Sequence, residues 1–137
     1  MEGWGHKMVN RVEAIVDILG KLNGMGDPES EAYALRNPLL IRSFARPGKH
    51  ETDEGGRRIF SSFLSGYKAA LFDATLKIEG KSRAGLKPTD TLTNLLGVYG
   101  IKELGRIHSV VVFLRKALKD TNIDKATPLS YFMVTEK

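Results

Sequence analysis

Between Lys7 and Leu22 the apolar residues Met8, Val12, Ile15, Val16, Leu19 and Leu22 recur at three- and four-residue steps. That period predicts an amphipathic helix with one buried stripe. Gly20 weakens its last turn, and Asn23-Gly24 supplies a C-cap. After the turn Gly24-Met25-Gly26, Asp27 followed by Pro28 reads as an N-cap with proline at the first helical position, opening a short helix to about Leu35. Asn37-Pro38 repeats that start signal, and Leu39-Leu40-Ile41 with Phe44 predicts a short helix or a buried turn. From Arg46 to Arg58 charge, glycine and a proline predict a surface loop.

The strongest helical pattern runs from about Arg58 to Glu79. There Ile59, Phe60, Phe63, Leu64, Tyr67, Ala70, Leu71, Ala74 and Ile78 form a broad stripe, as in the central helix of a small bundle. Gly66 in its middle implies close approach by another helix. A basic turn follows, from Gly80 to Pro88. Thr89 caps a helix carrying Leu92, Leu95, Leu96 and Tyr99, which Gly100 ends. Ile101, Leu104, Ile107, Val110, Val111, Phe113, Leu114 and Leu118 mark a last long helix, and the tail around Tyr131-Phe132 lies back on the core. The prediction is an all-α fold: one compact domain over residues 1–137, with about five helices around a long central one.

Composition narrows the chemistry. The chain has 137 residues and no cysteine, so it is long enough for one unstapled core and has no disulfide, thiolate nucleophile or cysteine metal ligand. His6, His50 and His108 lack metal-ligand spacing, and neither a metal nor a cofactor is expected. No apolar run approaches the ~20 residues of a membrane span. With no signal-peptide pattern at the N-terminus, a cytoplasmic location is the default and carriage in a phage particle an alternative. Residues 1–55 carry seven Lys/Arg against nine Asp/Glu, and residues 56–137 fourteen against seven. The basic half suits a polyanion such as nucleic acid or an anionic wall polymer, with Lys81, Arg83 and Lys87 as its densest patch, or a solvated cationic face.

No nucleophile elbow or phosphate loop is present. Ser65 reads as a packing serine within the helix. Glycan cleavage would need a carboxyl in a poorly solvated groove, and Glu2, beside Gly3 and Trp4, is one candidate.

A set of short blocks in order is similar to a phage-type lysozyme-like family of peptidoglycan-cleaving domains. Glu2-Gly3-Trp4 resembles the family's E-G-W, and Arg36-Asn37-Pro38-Leu39-Leu40-Ile41-Arg42 its N-P-G-N-L-R segment. The stretch from Phe60 to Ala69 resembles its G-[YF]-x-A helix and lead-in, Gly80-Lys81-Ser82-Arg83 its basic turn, Thr91 to Tyr99 its T-L-x-x-L-x-x-x-Y helix, and Thr127-Pro128-Leu129 its closing T-P-L. The resemblance implies a glycan groove with Glu2 as general acid and Trp4, Asn37, Arg42, Tyr67 and Tyr99 as substrate-binding residues. Two alignments compete. The Glu2 one matches letters. In the other, the Lys7–Leu22 helix is the family's first and the acid's position falls near Asn23, whose amide has no proton to give a leaving oxygen. The second alignment implies a degenerate domain with a binding or structural role.

Overall fold

The computed structural model describes residues 11–42, 52–53 and 55–133. Glu2, Trp4 and most of the charged loop before Arg58 lie outside the described residues. The chain order is α1 (Arg11–Leu22), α2 (Glu31–Leu35), α3 (Phe63–Ile78), α4 (Leu92–Val98), α5 (Leu104–Leu118) and a 3₁₀ turn, Leu129–Phe132. Among the described residues, extended pairing is confined to isolated bridges such as Arg42 with Arg57. The fold is all-α, and no described helix is long and apolar enough to cross a membrane.

Among the described residues α3 is the longest helix, but α1 is the most enclosed. It buries Val12, Ala14, Ile15, Val16, Ile18, Leu19 and Gly20, and it packs against both α3 and α5. Its apolar positions therefore wrap more of the helix than a single stripe. Gly20 has a packing reason: a Cβ there would lie 3.2 Å from the Pro38 Cβ. The buried face of α3 is Gly66, Ala70, Ala74 and Ile78 at four-residue steps, and the three small residues that lead it allow close packing. Leu129 and Phe132 fold back into the same core as fully buried side chains, as the tail's apolar residues predict.

Several helix starts differ from expectation, each because a nearby hydroxyl caps first. α2 begins at Glu31, not Pro28, because Ser30 Oγ accepts from Tyr33 N at 3.1 Å while donating to the Gly24 carbonyl at 2.6 Å. α3 begins at Phe63, not Arg58. Ser62 and Ser65 form a reciprocal capping box, a device that satisfies two orphan N–H groups. Ser65 is therefore a capping residue and not a packing one. Ile59 and Phe60 lie in an extended lead-in, where Arg58 N donates to Ile41 O and Phe60 N to Leu35 O, both at 2.9 Å. Thr91 replaces Thr89 as the cap of α4, boxed with Asn94. Residues after Asn37 form a turn with Leu40 at φ 55°, and not a helix.

Candidate functional site

Where α1 ends, the chain turns back so that Pro38 meets the last turn of α1 and the first turns of α3. A groove of ≈ 300 Å³ opens there. One wall is Val16, Asp17, Gly20 and Lys21 of α1, the other Phe63 and Tyr67 of α3, with Met25, Gly26 and Pro38 between them. Asn23 fixes this corner by donating from Nδ2 to the Pro38 carbonyl at 2.8 Å. Phe63 is held edge-on by Tyr33, at 4.9 Å between ring centroids, and by the Arg36 guanidinium at 5.5 Å. Burial, and then the carboxylates of Glu13 and Asp17, push the Tyr67 phenol above its ordinary range. Its hydroxyl therefore stays a hydrogen-bond donor at neutral pH.

The carboxylate lining this groove is Asp17. It pairs loosely with Lys21 at 3.9 Å, and its side chain is 62% exposed. That setting lacks the apolar enclosure used by general-acid carboxyls. What the groove offers is two aromatic faces beside a carboxylate, an ammonium and a phenol, an arrangement for holding a polar ligand with flat apolar faces.

Of the candidate residues within the described part, Tyr67 alone lines this groove. The expectation that Asn37 binds substrate is corrected by its burial: it is fully buried. Its Nδ2 donates to Ile41 O at 3.0 Å and Arg58 O at 2.9 Å, and its Oδ1 accepts from Ile41 N at 3.0 Å. Its polar atoms are spent on shaping the turn beneath the groove. Arg42 is exposed and donates to the Gly55 carbonyl. Lys81, Arg83 and Lys87 are exposed on the turn after α3, beyond Ile78 and so roughly 16 Å along the helix axis from Tyr67. Lys81 pairs with Glu79 at 3.4 Å. The sequence reading missed Asp17, Lys21 and Phe63. Asp17 and Lys21 were visible only as an i,i+4 pair of opposite charge, a pattern shared by ordinary solvated helix faces.

Tyr99 stands elsewhere, over the second half of α3. Its hydroxyl donates to Asp73 Oδ2 at 2.6 Å, and Lys77 Nζ donates to the same oxygen at 2.7 Å. Burial, the Asp73 charge and that hydrogen bond together hold the Tyr99 phenol far above its usual 10.0. A phenol raised in the folded state stabilises fully below its unfolded pKa and loses that contribution as pH rises beyond it. Tyr99→Phe is therefore expected to cost about 1–2 kcal/mol at pH 7. Urea denaturation should also show wild type losing more stability than the variant between about pH 10 and 11. Equal alkaline losses in the two proteins would place the titration elsewhere.

No family model, curated protein or solved structure matches this chain.

Proposed function

We propose that this chain is a lysozyme-like domain that holds cell-wall glycan in the α1–α3 groove without a general acid at the end of α1. The observation that carries the reading is Asn23 at the groove's corner. α1 stops at Leu22 and Asn23-Gly24 follows, where the resembling family places a glutamate and glycine at the end of a first helix. An amide there donates to the Pro38 carbonyl and has no proton to give a glycosidic oxygen. Two blocks that carry the resemblance meet at this groove, through Pro38 and Tyr67. Phe63 and Tyr67 offer stacking faces for sugar rings, and Asp17, Lys21 and the Tyr67 hydroxyl offer partners for sugar hydroxyls.

Co-sedimentation with purified peptidoglycan tests the reading. Wild type is expected to sediment with the sacculi and release no soluble glycan fragments. Tyr67→Ala should weaken binding about tenfold, equivalent to ~1.4 kcal/mol. Fragment release by wild type that Glu2→Gln abolishes would return the acid to Glu2, in line with the Glu2-Gly3-Trp4 match. Failure of wild type to sediment would overturn the glycan reading itself.

A further inference from the structure

We propose that a second groove, between α5 and residues 123–126, binds a small amphipathic carboxylate: one anionic head on an apolar stem. Leu104, His108, Val111 and Arg115 follow one another at four-, three- and four-residue steps and so share one side of α5. With Ile107, Asp124 and Lys125 they line a cavity of ≈ 360 Å³, within the range of about 300–1,000 Å³ common for small-molecule sites. Its apolar part comes from Ile107 and Val111, each 4% exposed, and from Leu104, 72% exposed. Leu104 has the highest fractional exposure among the large hydrophobic residues of the described chain.

The wall facing α5 is fixed by the protein's own contacts. Ile123 is buried and anchors it to the core. Arg115 Nε donates to the Ile123 carbonyl at 2.7 Å. From the α4 side, Thr93 N and Oγ1 donate to the Lys125 carbonyl at 3.1 and 2.7 Å. Asp124 Oδ1 is engaged within the wall, accepting from Ala126 N at 2.8 Å. A groove fixed in this way costs little ordering when a ligand enters.

Charge selects the ligand class. Arg115 and Lys125 are cations, and the wall bond uses only one of the guanidinium's five N–H donors. Against them, among the groove's lining residues, stands one carboxylate, Asp124, with its Oδ1 engaged in the turn. The rim is thus net cationic and rich in donors, above an apolar floor. It matches a carboxylate head with a short hydrocarbon stem and disfavours an ammonium head of equal length. The site shares no lining residue with the α1–α3 groove, and the inference stands independently of the glycan reading.

Octanoate, octanol and octylammonium, each titrated into the full chain below its aggregation concentration, provide the test, read by methyl NMR. Octanoate should give saturable shifts confined to Leu104, Ile107 and Val111, with octanol and octylammonium at least about fivefold weaker. Leu104→Glu places a like charge on an exposed position and should weaken octanoate about tenfold or more with an unchanged melting curve. Lys125→Gln should weaken it by about two- to fivefold, as expected for a solvent-accessible charge. Octylammonium binding as tightly as octanoate, equal shifts at the exposed Leu64 and Val98 methyls, or non-saturating shifts would each overturn the proposal.

Discussion

Replacing Gly66 with alanine is expected to cost about 3 kcal/mol or more. A thermal melt should show this as a fall of roughly 10 °C or more in Tm. The reason is a backbone contact. A Cβ built on Gly66 would lie 1.8 Å from the Arg36 carbonyl oxygen and 3.0 Å from its carbon. Side chains yield by rotating, but a carbonyl moves only with its peptide. Arg36 has little freedom to move. It caps α2 at φ 53°, with its N–H bonded into that helix, and the next residue, Asn37, is fully buried. Relief would require α3 to lift from the α2 end, opening the packing that also shapes the groove. Gly97 in α4 is the control, because a Cβ there meets nothing within 4 Å. Gly97→Ala should be neutral or stabilising by up to about 1 kcal/mol. A Gly66→Ala melt within about 2 °C of wild type would show that the Arg36 peptide can give way.

Gly66 also marks how far periodicity reaches into this fold. The sequence predicts a close approach at that glycine and names a helix as the neighbour. The neighbour is the carbonyl at the end of α2, a contact between residues thirty positions apart that no local pattern encodes. The cores of α1, α3 and α5 were legible because burial repeats at the helical period. The start of α3 was not, because Ile59 and Phe60 continue the apolar stripe by coincidence. Phe60 is buried, at 6% exposure, but it reaches the core from an extended lead-in paired with Leu35 and Ile41. Serines in the sequence suggest caps in several registers, and only the tertiary position of the chain decides that Ser30 and Ser62 win.

The groove was legible in part for a similar reason. Tyr67 sits on a strong helical pattern and in a block carrying the family resemblance, so both lines of reading reached it. Phe63 lay in the same stripe and block but was not singled out as a site residue, because periodicity does not reveal that the stripe's end is 42% exposed and turns toward α1. Tyr99 lay in a resembling block as well, but its hydroxyl is claimed by Asp73. An aromatic residue at a family position can thus serve the scaffold instead of the site. The same distinction, between polar groups spent on the fold and polar groups offered to a ligand, is sharpest at Asn37.

Asn37→Asp is expected to destabilise the protein by about 3 kcal/mol or more at pH 7, although the two side chains are nearly the same size. The amide Nδ2 faces two carbonyl oxygens, of Ile41 and Arg58, at 3.0 and 2.9 Å. A carboxylate puts an oxygen where that donor stood, so two acceptors meet an acceptor and a charge is buried at a fully enclosed position. Protonation is the available relief, since a carboxylic acid can donate one of the two lost bonds. Burial and the facing carbonyls raise the introduced carboxyl's pKa in the folded state above its unfolded value near 3.9. The sign follows: the penalty is smallest below about pH 4 and grows as pH rises through that value and beyond. Denaturation of both proteins at about pH 3.5 and pH 7 should show the gap between wild type and variant widening at the higher pH. A ligand-binding Asn37 predicts a different outcome, with stability kept and peptidoglycan sedimentation lost. Asn37→Asp matching wild type in stability at pH 7 would mean the turn beneath the groove tolerates an unsatisfied buried charge, contrary to the bonding of this side chain.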